Sequence, residues 1–169
     1  ADTAELAHWI ELSGNTIKLI TIAPEQAADG GKQFIEFARK NGVVVSIGHT
    51  NATYEQAVFA EDCGVAHATH LFNAMPPLLH REPGVVGCAL ASDAMSVELI
   101  ADGVHVHPVI ASIVFQAVEH RRLILITDAI SGMDQPDGTY SLGGQDVIVL
   151  NGTAKFADGT LAGSVLSMS

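Results

Sequence analysis

The sequence is short of basic residues. Its 8 Lys and Arg stand against 19 Asp and Glu, for a formal net charge of −11. Nucleic acids and anionic membranes are gripped by clustered basic groups, so neither is an expected partner. Cysteine is nearly as scarce. Cys63 and Cys88 are too few for a disulfide framework and fit a reducing, cytoplasmic setting. No apolar run approaches the roughly 18–20 residues of a membrane span, and no basic-then-apolar leader opens the chain. A Walker A loop, a dinucleotide fingerprint and a Gly-x-Ser-x-Gly elbow are all missing. A Cys–His nucleophile is disfavoured as well, because Cys63 falls in a helical stretch and Cys88 in an apolar run.

What is present is a core. Of 169 residues, 48% are hydrophobic and 16% charged, the composition of a folded domain and not of a disordered chain. Short β-branched runs at 18–23 (KLITIA), 43–47 (VVVSI), 66–71, 97–101 (VELIA) and 123–127 (LILIT) read as strands buried on both faces of a parallel sheet. Helix-compatible stretches at 31–40, 54–62 and 107–120 separate them, and residues 2–12 read as an opening helix. The repeat is βα, which makes the chain α/β. A polar residue follows each of the five strands: Glu25, His49, His70, Asp102 with His105, and Asp128. A barrel brings every strand end to one mouth, whereas an open doubly wound sheet gathers ligands only at its switch point. A whole (β/α)8 barrel takes roughly 250 residues, so the barrel reading makes this a partial one. Asp-Gly, Gly-Gly and Asn-Gly pairs then punctuate residues 135–160, which read as antiparallel hairpins.

His49 and His70 end neighbouring strands, where two imidazoles can hold one divalent ion such as Zn or Fe; the alternative is that each hydrogen-bonds backbone. His67 alternates to the other face of its strand and reads as structural. Asp128 follows a very apolar strand, as either a general base for hydrolysis or the N-cap of a helix. His105 lies in Asp102-Gly103-Val104-His105, either a second functional imidazole or a simple turn. Arg81 sits in the long loop 71–84, either an anion clamp or a solvated surface charge.

Three motifs then carry a resemblance: Ile47-Gly48-His49-Thr50-Asn51-Ala52-Thr53, Thr69-His70-Leu71-Phe72-Asn73-Ala74-Met75 and Arg81-Glu82-Pro83-Gly84. With Ile100-Ala101-Asp102-Gly103-Val104-His105, Thr127-Asp128-Ala129 and Gly159-Thr160-Leu161-Ala162-Gly163-Ser164, the sequence resembles the N-acetylglucosamine-6-phosphate deacetylase family of the amidohydrolase superfamily. The resemblance implies a partial (β/α)8 TIM barrel, about strands 4–8, followed by a β-hairpin segment. Residues 1–134 would be the C-terminal portion of the barrel, and 135–169 the hairpin excursion with the start of the return segment.

It further implies His49 and His70 as metal ligands, Asp128 as general base and acid, and Zn or Fe as the ion. Asn73, Ala74, Leu161, Ala162 and Gly163 would contact substrate. His105 and Arg81 would hold sugar or phosphate groups, Arg81 in its own or a partner subunit's site, since the family is typically homodimeric. The substrate implied is N-acetylglucosamine 6-phosphate, and the reaction is hydrolysis of its acetamide to glucosamine 6-phosphate and acetate. The family's third ligand is a glutamate in a His-Leu-Glu-Gly-Pro motif that this sequence does not contain; Glu25 lies between Ala23-Pro24 and Gln26 and does not match it. The alternatives are another amidohydrolase acting on a cyclic amide, which would want a His-x-His pair absent here, and a non-catalytic sugar-phosphate-binding remnant.

Overall fold

A computed structural model describes residues 2–29 and 31–168. The elements run α1 (Thr3–Leu12), β1 (Leu19–Ile22), a 3-10 turn (Pro24–Gln26), α2 (Lys32–Lys40), β2 (Val44–Ile47), α3 (Tyr54–Cys63) and β3 (His67–Ala68). There follow α4 (Gly84–Ala91), β4 (Ser96–Ile100), α5 (Pro108–Ala117), β5 (Leu123–Ile126), β6 (Gly138–Leu142), β7 (Gln145–Leu150) and β8 (Thr153–Lys155). The first five strands form one sheet in sequence order, with the pairings from β1 through β4 parallel; the last three form an antiparallel meander.

The chain divides into two compact units. One comprises Ala1–Glu98 and Val114–Ile124, the other Leu99–Ile113 and Leu125–Ser169. In the first, helices present one apolar stripe to the sheet: Leu6 and Ile10 from α1, and Phe34, Ile35 and Ala38 from α2. They meet Val45, Ile47, Ala68 and Val97 from the strands. Two of the helices show a local reason to start where they do. The Asp29 carboxylate accepts the amides of Gly31 and Gln33 at the start of α2, and Thr53 with Gln56 forms a reciprocal capping box on α3. In the second unit, Val147 and Val149 of the meander pack with Ile130, Ala154 and Ala162. The alternation of buried and exposed residues along β7 is that of a sheet packed on one face.

The βα order and the hairpins follow the sequence reading, with two differences. The strand expected at 66–71 is only His67–Ala68, because Thr69 onward enters a turn in which His70, Phe72 and Ala74 take φ of 33°, 77° and 50°. Left-handed backbone cannot continue a strand. The segment after loop 71–84 is a helix, α4, that the sequence did not announce. Its residues GVVGCALA are apolar all round, so no helical period marks them, and five of the eight are buried. Among the described residues no helix is long and apolar enough to cross a membrane.

The sheet ends at β1 and β5, and those ends carry apolar side chains in the open: Leu19 is 42% exposed and Leu125 52%. Unpaired strand edges with apolar side chains template association. The 169-residue chain is therefore expected to self-associate, and Leu125→Lys is expected to lower light scattering at unchanged secondary structure. A monodisperse wild-type monomer with a sharp cooperative melt would count against this.

Candidate functional site

Parallel strands deliver all their C-terminal ends to one edge of a sheet. The register fixes what happens there. Ser46 pairs with His67 and Ile47 with Ala68, so two residues further on His49 falls opposite His70. Between them and the strands, Gly48 has no room for a side chain: a Cβ there would lie 2.9 Å from both Thr21 Cγ2 and Thr69 Cβ. Below, the Thr69 hydroxyl bonds Thr21 Oγ1 at 2.9 Å and Ser46 Oγ at 2.6 Å, tying β1, β2 and the end of β3 together through polar side chains.

Both histidines leave their strands with positive φ, 48° at His49 and 33° at His70. Such backbone costs about 1–3 kcal/mol for a residue with a side chain and tends to persist where function uses it. The rings meet edge to face, with centroids 4.7 Å apart, and the two Nε2 atoms lie 2.9 Å from one another. His49 is exposed and His70 buried. Two imidazole nitrogens aimed at one another are the borderline-soft donors that Zn or Fe takes. The fit is of two ligands, since no group of three or more His, Cys, Asp or Glu side chains able to hold an ion occurs among the described residues.

The surrounding loops are stitched to this pair. Ala74, itself at φ 50°, accepts the Thr50 amide at 3.1 Å. Asn73 folds back on its own turn, its Nδ2 donating to the His70 and Leu71 carbonyls at 3.3 Å each. Glu25, after β1, accepts the Thr50 hydroxyl at 2.5 Å and the Asn51 amide at 2.7 Å. Burial pushes its carboxyl up, but the bonds from Thr50 and Asn51 outweigh that and hold it below its ordinary 4.5. Arg81 is exposed and donates to its neighbour His80 at 2.8 Å.

Sequence reasoning missed Glu98. Its carboxylate bonds His67 Nε2 at 2.9 Å and accepts the His70 amide at 3.2 Å. Burial raises this carboxyl, and the His67 and His70 hydrogen bonds more than reverse the effect, so it sits below the ordinary range. The signal was available: a lone carboxylate inside VELIA, an otherwise apolar strand.

The second unit holds the remaining candidates. Asp128 has φ 50°, and residues 129–132 are not helical, so the N-cap alternative falls away. Its backbone carbonyl accepts the Ser164 amide at 2.8 Å, and the Ser164 hydroxyl bonds the Thr127 carbonyl, which lays Gly163 beside Asp128, while Leu161 pairs with Lys155 and the Ala162 amide bonds the Ala154 carbonyl. Gly163 must be glycine: at φ 63° a Cβ would meet Ile130 Cγ2 at 2.6 Å and the Asp128 carbonyl at 3.0 Å. His105 Nδ1 lies 2.7 Å from Asp102 Oδ2, while Asp102 Oδ1 accepts the Val104 and His105 amides. Asp102-Gly103-Val104-His105 is thus a turn that also fixes an imidazole through its Nδ1.

The chain is 44% identical over 169 residues to an N-acetylglucosamine-6-phosphate deacetylase of Bacillus subtilis (strain 168), spanning 100% of this chain and 42% of that protein. It is 40% identical to an N-acetylgalactosamine-6-phosphate deacetylase of Escherichia coli O157:H7, over 99% of this chain and 44% of the other. A solved Mycobacterium smegmatis structure, an N-acetyl-D-glucosamine-6-phosphate deacetylase mutant in complex with N-acetyl-D-glucosamine-6-phosphate, superposes with a TM-score of 0.95 at 41% identity, over 99% of this chain and 44% of that one. No protein-family model matches. The chain thus spans less than half the length of these relatives.

The Glu25 geometry gives a pH prediction. A carboxyl depressed in the folded state stabilises the fold fully above its unfolded value, and that contribution fades as pH falls through the folded one. Glu25→Gln is expected to melt below the wild type at pH 7, the gap closing as pH falls below about 4.5. A gap that persists into strong acid would assign the effect to shape instead of charge.

Proposed function

Proceeding from homology to a segment of the N-acetylglucosamine-6-phosphate deacetylases, we propose that these residues belong to an amidohydrolase that releases acetate from N-acetylglucosamine 6-phosphate. The observation that carries the reading is the facing pair of imidazole nitrogens at 2.9 Å, on left-handed backbone, inside the motifs that resemble the family. The five parallel strands are read as about strands 4–8 of a (β/α)8 barrel within residues 1–134, and 135–169 as its hairpin excursion and return. The setting proposed is cytoplasmic and the assembly a homodimer.

His49 and His70 would hold the ion, Zn or Fe, with the further ligand a catalytic site needs supplied from the part of the relatives' length outside this chain. When bound, such an ion polarises the acetamide carbonyl and acidifies the attacking water. Asp128 accepts a proton from that water as oxygen adds to the carbonyl carbon. It returns a proton to nitrogen as the C–N bond breaks, so that acetate and the free amine leave. The backbone around Asn73 and Ala74 and the segment Leu161, Ala162 and Gly163 contact the sugar. His105, its tautomer set by Asp102, binds a sugar or phosphate oxygen, and Arg81 binds the phosphate, in its own or a partner subunit's site.

The test is acetate release by the chain as it stands, beside a version extended to the relatives' full length, from the 6-phosphates of N-acetylglucosamine and N-acetylgalactosamine. Release from the galacto epimer alone would replace the substrate proposed; release from neither by the full-length protein would favour a sugar-phosphate-binding remnant. In that protein the double variant His49→Ala, His70→Ala is expected to lose its stoichiometric divalent metal by elemental analysis. Asp128→Asn should cut turnover by at least about 10²-fold while substrate still binds.

Arg81→Ala should raise KM for the phosphorylated sugar and leave the unphosphorylated one unaffected. Equal weakening of both would remove Arg81 from the phosphate site.

A further inference from the structure

Resting on the reading of His49 and His70 as ligands, we propose that Glu98 is the positioning residue that aims His70 at His49, through the main chain and not through the ring. A ligating histidine is ordinarily held by a hydrogen bond from its second ring nitrogen to a carboxylate or carbonyl. His70 lacks that device: its Nδ1 is buried with no hydrogen-bond partner. The ring's direction must therefore come from where its Cα is placed, and that placement is unusual. At φ 33° the residue lies outside even the centre of the left-handed region, and it stays there only if its neighbours over-determine it.

Glu98 does this twice. Its carboxylate Oε2 accepts the His70 amide at 3.2 Å, and its backbone carbonyl accepts the Leu71 amide at 2.9 Å. One residue of β4 thus takes the two successive amides that the end of β3 turns inward. The carboxylate is itself held, because Oε1 bonds His67 Nε2 at 2.9 Å. Both side chains are mostly buried, 8% and 17% exposed, which makes the arrangement stiff. His67, on β3 beside Ser96 of β4, thereby has a part to play: it orients the carboxylate that orients the His70 backbone.

The experiment uses the full 169-residue chain and three variants, Glu98→Ala, Glu98→Gln and His70→Ala, with zinc as the probe. Zinc affinity is read by competition with a chromogenic chelator, and the ligand field by the visible spectrum of the cobalt-loaded protein. The metal-free arm is hydrogen exchange at the His70 amide. Removing an outer partner of a metal ligand typically weakens binding 10–100-fold, and Glu98→Ala is expected to do so, with an altered cobalt spectrum and His70 amide exchange at least about tenfold faster. Glu98→Gln keeps one acceptor oxygen and should recover part of each.

His70→Ala should abolish binding whatever Glu98 does, and wild-type zinc binding that survives His70→Ala would overturn the ligand assignment itself. Should the wild-type chain bind no zinc, the exchange arm decides alone. Unchanged His70 amide exchange in a folded Glu98→Ala protein refutes the proposal, as does unchanged zinc affinity where the wild type binds. A lower melting temperature with both unchanged would reduce Glu98 to a packing role.

Discussion

The parallel register between β2 and β3 is the constraint on which the site depends. Only two residue pairs, Ser46 with His67 and Ile47 with Ala68, define it, yet they decide that His49 and His70 leave their strands side by side. A slip of one residue would turn every side chain of β3 to the opposite face, separating the imidazoles and moving His67 away from Glu98. So short a pairing holds because β3 lies between β2 and β4, with Ala68 also opposite Val97, and because the apolar residues on both sides are fully buried.

Stability and chemistry are divided along the same strands. Val45, Ile47, Ala68 and Val97 are buried and fill the space under the helices. Just past their strand ends His49 and His70 bend into left-handed backbone, and hydrogen bonds with neighbouring segments hold the surrounding turns: Ala74 accepts the Thr50 amide, Glu25 accepts from Thr50 and Asn51, and Glu98 accepts the His70 amide. Charge is also kept local. A chain with a net charge of −11 can still present donors to an anion, since an anion meets particular groups and not the average of the surface.

In the second unit Asp128 likewise sits just past a strand in left-handed backbone, held by the Ser164 amide. The glycine at 163 is what lets the two segments approach. A positive φ just past a strand end therefore recurs at His49, His70 and Asp128, and at His70 and Asp128 a hydrogen bond with another segment fixes it.

The sequence by itself determined the βα order, the change to hairpins after residue 135, and the candidates His49, His70 and Asp128, because strand patterning, turn residues and chemistry-bearing side chains are all local properties. It also carried the motifs that led to the relatives. It did not disclose α4, whose uniformly apolar residues have no period, nor the early end of β3, since left-handed backbone at His70 leaves no mark in composition. Only the tertiary structure decided that Asp128 caps no helix and that Glu98 serves His70. Both depend on which segments lie alongside one another, and a hydrogen bond between residues 28 positions apart is set by strand register, which no single segment encodes.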